Sequence, residues 1–332
     1  MDFKKIEELL AGEPKFRLKQ ARQAIFRDLI ESWERVSALP VLLRRKLSGR
    51  CPLEIKAKVF VSKDEKTAKA VLTLGDGLAV ETVLMRYQDR NAVCVSSQVG
   101  CPLGCVFCAT GQMGFKRNLT VWEIAEQVLF FARYLKKEGQ RVDSLVFMGM
   151  GEPFLNYENV LAAIKILNNK DGLNIGARHI SISTAGIVEG IDKLAQEPLQ
   201  INLAISLHAS DDQLRSRLMP INKKYPLVKI LAAIDKYIFK TRRKVMFEYI
   251  MIKDINDSEE CARRLAKIAG QPLCFVNLIS YNPTGIFSPS SEERIKKFKK
   301  ILEKKGVAAT RRFRFGDDIQ AACGQLIPHP KK

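Results

Sequence analysis

Three cysteines stand within eight residues, Cys101, Cys105 and Cys108, spaced C-x3-C-x2-C in CPLGCVFCATG. Thiols so close together point to metal binding or to reactive sulfur. A structural zinc site normally closes with four protein ligands, often as paired C-x2-C elements. Here His179 and His208 are far away in sequence, so nothing local completes a zinc cage. A four-iron cluster uses a trio differently: three thiolates leave one iron without a protein ligand, and that open position can hold a substrate. Gly104 and the small Ala109-Thr110-Gly111 turn suit a loop wrapped closely around a cofactor. The bland alternative is three buried, inert thiols.

The rest of the chain bounds what such a site could serve. It has 332 residues, 46% of them apolar, enough for a sizeable core. No apolar run approaches the roughly 18–20 residues of a membrane span. The start, MDFKKIEELLAGEP, lacks the apolar centre of a signal peptide, so a cytoplasmic location is expected. In a reducing compartment the eight cysteines do not suggest a disulfide framework. The net charge of +19 favours a polyanionic partner over solubility alone. Residues 291–314 hold ten Lys and Arg against three acids. A second basic group comprises Lys15, Arg17, Lys19, Arg22, Arg27, Arg44, Arg45, Lys46 and Arg50. Phosphate contacts from such groups give salt-dependent affinity without choosing a sequence.

Residues 1–50 read as helical. Ile25, Phe26, Leu29, Ile30 and Trp33 recur at helical spacing, and Pro40 suits the start of a short helix in VLLRRKL. The pattern then changes to short β-type runs, IKAKVFVS, TAKAVLTL and AVETVLMR, with GDG at 75–77 as a turn between the last two. From residue 93 on, β-type runs alternate with helical patterns. VCVSS precedes the cysteine loop and a helix starting near Thr120, where Thr120-Val-Trp-Glu123 forms a capping box. SLVFMGMG leads to a helix at 157–168, RHISISTAG to a short helix, and INLAISLHAS to DDQLRSRL and LVKILAAIDKYI. KVMFEYIMI precedes a helix at 257–269, and LCFVNLISYN a basic helix at 291–305. Six strand–helix repeats predict an α/β fold, a parallel sheet closing into a full or partial barrel.

With GMGEP at 149–153 following the trio and a β-type run, the sequence resembles the radical S-adenosylmethionine (SAM) superfamily. The resemblance implies a partial (β/α)6 barrel and a [4Fe-4S] cluster on Cys101, Cys105 and Cys108, whose open iron chelates SAM and yields a 5′-deoxyadenosyl radical. It also implies SAM contacts at Gly151, Glu152, Ser183, Ser206, Leu207, His208 and Asn282. Taken alone, each is an ordinary strand-end residue, and His208 a packed polar one.

VCVSSQVGCPLGCVFCATG, GMGEP, LMPINKKYP at 218–226 and DDIQAACGQL at 317–326 narrow the resemblance to the RNA adenine-C2 methyltransferases, over almost the whole chain. That family acts on 23S ribosomal RNA and, in many members, on transfer RNA. By this resemblance Cys323 carries the methyl group and Cys94 resolves a covalent protein–RNA adduct by forming a disulfide with it, with two SAM molecules consumed per turnover. The electron-poor C2 of adenine does not attack a sulfonium methyl, whereas a thiolate does. An inert buried thiol is the alternative for Cys94 and Cys323, and the expectation for Cys51, Cys261 and Cys274. Glu81 matches the family's proposed proton acceptor. In a strand it shares a face with Ala79, Val83 and Met85, and a carboxylate on an otherwise apolar face resists ionisation, as a general base near neutral pH requires. The alternative is an edge-strand glutamate facing solvent.

The resemblance further implies an external electron donor of flavodoxin or ferredoxin type, a monomer, and no membrane association. The expected organisation is an RNA-binding helical accessory domain at 1–50, a β-rich extension at 51–92, the barrel with its C-terminal cysteine segment at 93–326, and a tail at 327–332. Two other functions remain open. One is methylation of C8 of the same adenine, as in antibiotic-resistance relatives, against which Pro153 after GMGE speaks. The other is an iron–sulfur RNA-binding protein without turnover. No second cysteine trio supports a methylthiolating enzyme.

Overall fold

A computed structural model describes residues 3–326; the tail expected at 327–332 lies outside the described residues. The strands are β1 (Ala57–Val61), β2 (Thr67–Thr73), β3 (Ala79–Arg86), β4 (Asn91–Cys94), β5 (Gln98–Gly100), β6 (Phe115–Asn118), β7 (Ser144–Phe147), β8 (Ile180–Thr184), β9 (Asn202–Ser206), β10 (Val245–Met251), β11 (Cys274–Ser280) and β12 (Ala309–Arg311). Ten of them form one open sheet in the order β1-β2-β3-β4-β7-β8-β9-β10-β11-β12.

From β4 to β12 every pairing is parallel. Helices Val121–Lys136, Tyr157–Asn168, Val188–Leu194, Leu227–Thr241, Glu259–Ala269 and Glu292–Lys304 supply the crossovers. The six repeats are therefore those expected, with β12 as a further short parallel strand. The β-rich extension is not a separate layer: β1, β2 and β3 run antiparallel and continue the barrel sheet through β3 on β4. The sheet and its helices share one core, in which Phe131, Phe147, Phe247, Tyr237, Tyr249 and Phe298 are fully buried. The capping box forms as expected, with Thr120 and Glu123 bonding each other's main-chain N–H.

The N-terminal helices Phe3–Leu10, Lys15–Phe26 and Val41–Arg50 pack around Trp33 in a second cluster. The Trp33 indole donates to the Cys51 carbonyl at 2.7 Å, and Phe3 stacks on Trp122 of the barrel with ring centroids 4.4 Å apart. One expectation fails here. The helix through Ile25 and Phe26 does not reach Trp33: it ends at Phe26, the chain reverses at Leu29 with φ of 52°, and Trp33 opens a short 3-10 turn. No Gly or Pro marks this break, so apolar spacing runs across it.

The hairpin of β5 and β6 was also not expected. It is antiparallel and brackets the cysteine loop. Gly100 makes it possible: at φ of 74°, a Cβ there would lie 1.8 Å from the Gly114 carbonyl oxygen.

Candidate active site

Cys101, Cys105 and Cys108 line one cavity at the C-terminal ends of the parallel strands, together with Gly151, Glu152, Ser183, Ser206 and His208. That is where parallel α/β sheets present ligand sites. The loop is held from two sides. Val106 N–H donates to the Leu218 carbonyl at 3.1 Å, and Ala109 N–H donates to the Gly324 carbonyl at 2.8 Å. The Thr110 hydroxyl donates to the Leu326 carbonyl at 2.6 Å. These last two bonds seat the C-terminal segment, and with it Cys323, beside the trio.

Burial pushes the Cys101 thiol up to about 12, and burial together with the neighbouring cysteines raises Cys105 well above its ordinary value. Burial raises Cys108 as well. Three thiols raised this way need a strongly cationic group to become thiolates, which is what an iron–sulfur cluster provides. Among the described residues no group of three or more His, Cys, Asp or Glu converges where one metal ion could sit. A cluster whose irons each take a single thiolate does not require such a point.

The facing wall is the loop after β7. Gly149 and Gly151 are there for close packing: a Cβ on Gly149 would meet the Ser96 hydroxyl at 2.6 Å, and one on Gly151 would meet Gln98 at 2.5 Å. The Glu152 carboxylate accepts from Ala185 N–H at 2.7 Å and Phe154 N–H at 3.0 Å. Its burial lifts it to about 6 against those bonds. The Ser183 and Ser206 hydroxyls lie 3.1 Å apart across β8 and β9. Leu207 is buried behind this wall, with its N–H donated to the Glu248 carbonyl. His208 holds φ of 59° and accepts from Ile250 N–H through Nδ1 at 3.2 Å. That bond puts the ring proton on Nε2. Burial, and the Arg215 cation second, hold the imidazole down to about 3.

Two residues here were not singled out from the sequence. Arg215 is fully buried and donates to the carbonyls of Leu207, Ala185, Ser206 and Tyr225 and to Asn222 Oδ1. It ties the loops after β8 and β9 together directly behind the cavity. Glu248 lies on β10 in register with Ser206 and Asn277, so the three side chains form a polar row across the sheet. Glu248 is 2% exposed and lines the cavity, and its Oε2 has no hydrogen-bond partner. A buried carboxylate oxygen with no donor fits a ligand bearing N–H or O–H groups, as SAM does. A glutamate in the apolar run KVMFEYIMI was the available signal.

A second cavity adjoins the first, and Cys323, Met148 and Arg312 belong to both. Cys94 and Cys323 both line it. Burial, then the neighbouring Cys323, pushes the Cys94 thiol up to about 12, while the Arg312 guanidinium works against this. Asn282 lines this second cavity: its amide donates to the Cys323 carbonyl at 3.0 Å and its Oδ1 accepts from Arg314.

Glu81 is not an edge-strand residue, because β3 sits between β2 and β4, and it is fully buried. Its face is not otherwise apolar either. The Lys69 ammonium lies 3.0 Å from the carboxylate, and Lys69 also donates to the Gln320 carbonyl, three residues before Cys323. Glu81 shares its strand face with Val83 and Met85, which line the cysteine cavity, while Glu81 lies one step further along β3.

Much of the basic cluster at 291–314 is already paired: Arg294 with Asp254 and Asp257, Lys297 with Glu259, Lys299 with Glu303, and Arg311 with Glu292.

Comparison with known proteins decides the family. The model of the radical SAM superfamily matches residues 95–265, from the end of β4 into the helix after β10. The chain belongs to the radical SAM superfamily. Membership implies a [4Fe-4S] cluster and SAM, the groups that the half-buried trio and the partnerless Glu248 oxygen fit. Among its relatives, the radical SAM chain is 44% identical to the probable dual-specificity RNA methyltransferase RlmN of Symbiobacterium thermophilum, covering 98% of this chain and 90% of that protein. It is equally 44% identical to the protein of the same name from Dictyoglomus thermophilum, over 98% and 94%. The crystal structure of a radical SAM methyltransferase from Sphaerobacter thermophilus superposes with a TM-score of 0.95 at 44% identity, over 99% of this chain and 98% of that one. No described helix is long and apolar enough to cross a membrane.

Proposed function

We propose that this protein methylates C2 of an adenosine in 23S ribosomal RNA, and of an adenosine in transfer RNA, through an S-methyl group on Cys323. The observation that carries this is the seating of the Cys323 segment. Bonds from the Ala109 N–H and the Thr110 hydroxyl of the trio loop to the Gly324 and Leu326 carbonyls seat Cys323 on the wall shared by the trio's cavity and the cavity of Cys94. A cysteine serving as both methyl acceptor and methyl donor must face both.

Cys101, Cys105 and Cys108 would hold the cluster, with Gly151, Glu152, Ser183, Ser206, His208 and Glu248 around SAM. When bound, the cluster and SAM supply the methyl group and a hydrogen-abstracting radical, one SAM for each role. Cys323 takes the methyl group on sulfur and passes its carbon to C2 of the base. Glu81 would take the C2 proton from the adduct, and its one unpaired electron would return to the cluster; Cys94 then attacks the Cys323 sulfur, so a disulfide forms and the released carbon takes a proton to complete the methyl group of the departing RNA. The two thiols are restored by external reductant, and a flavodoxin or ferredoxin would feed the cluster. The protein would work as a cytoplasmic monomer, with residues 1–50 gripping RNA beside the barrel.

The test is mass analysis of modified nucleosides after reaction under anaerobic conditions with the reconstituted enzyme. The expected product is 2-methyladenosine; 8-methyladenosine, or neither, overturns the assignment. Cys94→Ala is expected to accumulate a protein–RNA crosslink. Loss of methylation without a crosslink would remove Cys94 from the resolving role.

A further inference from the structure

The wall of the cysteine cavity ends in aromatic rings that the reaction above does not use. Phe313 and Phe315 follow β12, and Tyr87 lies in the turn between β3 and β4. The Phe315 ring is 8% exposed and packs between the other two, 4.9 Å from Phe313 and 4.8 Å from Tyr87 by centroid. The Arg90 guanidinium caps the row, 4.3 Å from the Tyr87 ring centroid. At its other end the row stops unfinished. Phe313 is 62% exposed, yet it lines the same cavity as Cys94 and Cys323.

A phenylalanine left this open next to a reaction centre forgoes about 1 kcal/mol or more of burial. Its place on the cavity wall says what would cover it. Residues 304–316 contain no acid and carry Lys304, Lys305, Arg311, Arg312 and Arg314. Arg311, Arg312 and Arg314 each have an acidic partner, Glu292, Glu248 and Asp317, so what the patch offers is an open ring on the wall of the cavity that takes the target base, which suits the flat face of an unpaired base. The chemistry makes one available. C2 of adenine is enclosed while the base is stacked, so the target must leave its stack, and its neighbour then loses a stacking partner.

We propose that Phe313, backed by Phe315 and Tyr87, is a stacking platform for an unpaired base flanking the target adenosine. The proposal rests on the RNA-methyltransferase reading and adds to it a single-stranded context: the substrate must offer two adjacent unpaired bases, one entering the cysteine cavity and one lying on Phe313. Arg312 and Arg314 do not compete for this role, because Arg312 turns inward to Met148 and Glu248 and Arg314 is held by Asn282 and Asp317.

The test uses the full chain and a hairpin RNA with an adenine-rich loop, one loop adenine being replaced by 2-aminopurine, whose fluorescence falls on stacking. Wild type, Phe313→Leu, Phe313→Ala and Phe313→Trp are compared for affinity, fluorescence change and dependence of affinity on salt. Because Phe313 is exposed, these substitutions leave the fold intact. Phe313→Trp is expected to bind and quench like wild type. Phe313→Leu and Phe313→Ala are expected to bind about fivefold more weakly or worse and to lose the quenching. Their salt slope should stay unchanged, since no phosphate contact is removed. Wild-type binding and quenching in Phe313→Leu would overturn the platform while leaving the RNA reading intact. Failure of the wild type to bind the hairpin would overturn both.

Discussion

His208 should make this protein acid-sensitive by a calculable amount. Its imidazole is held near 3, against an ordinary 6.5, because it is buried and faces the Arg215 cation. Between those values the unfolded chain binds a proton that the folded chain refuses. The stability it contributes is therefore complete above 6.5 and is lost as the pH falls through 6.5 towards 3. Taking pH 7 to pH 5, unfolded-state protonation of this one group costs about 2 kcal/mol. Glu152 acts with the opposite sign. Burial raises it to about 6 from 4.5, so its folded form prefers the proton, and the same pH step returns about 1 kcal/mol. Glu152 thus offsets about half of the His208 effect in the wild type, so the comparison must be between variants. His208→Asn is the suitable one, because asparagine tolerates the φ of 59° and its side-chain oxygen can accept the Ile250 N–H. Urea unfolding of the cluster-free chain under argon at pH 7 and pH 5 gives the four stabilities needed. The variant should lose about 2 kcal/mol less than wild type over that interval, whatever its stability at pH 7. Equal losses in the two proteins would mean that the imidazole is not held neutral, and the assignment of its ring proton to Nε2 would fall with it.

Two further perturbations probe buried charges behind the site. Arg215→Met removes the donor from four carbonyls and Asn222, and should cost about 3–5 kcal/mol in urea unfolding; a loss below about 1 kcal/mol would show that these carbonyls are satisfied by other means. Lys69→Met removes the cation beside the fully buried Glu81 carboxylate and should cost a similar about 3–5 kcal/mol, most of it recovered in the double variant Lys69→Met/Glu81→Leu, whereas an additive loss on removing both would refute the pairing.

The parts of this protein that could be read from its sequence are those in which both halves of an interaction lie close together in the chain. The cysteine trio spans eight residues, the Thr120–Glu123 capping box four, and the helix at 157–168 was bounded to the residue because Asn168 ends an uninterrupted apolar stripe. The barrel followed because each strand–helix repeat is itself local. Interactions whose partner is remote in the chain leave no such local mark. Arg215 looks like one cation in DDQLRSRL, since the four carbonyls it serves come from three separate places in the chain, Ala185, Ser206-Leu207 and Tyr225. The β5–β6 hairpin was missed because FKRN carries no alternation and its pairing depends on a close approach of Gly100 to Gly114.

Glu81 shows both halves of this lesson. Its burial was legible from the alternation in AVETV, but its pairing was not. Lys69 belongs to the neighbouring strand and sits in register with Val83, diagonal to Glu81. The sequence did hold a signal, a lone lysine inside the apolar run TAKAVLTL. A buried lysine must find an anion, and one from a neighbouring strand is the nearest supply. What no local pattern contains is the third member, the Gln320 carbonyl that Lys69 also holds. Through it the Glu81 carboxylate and the Cys323 segment share one cation. A movement that carries Gln320 along with Cys323 would therefore loosen Lys69, and with it the environment of the group proposed to take the proton.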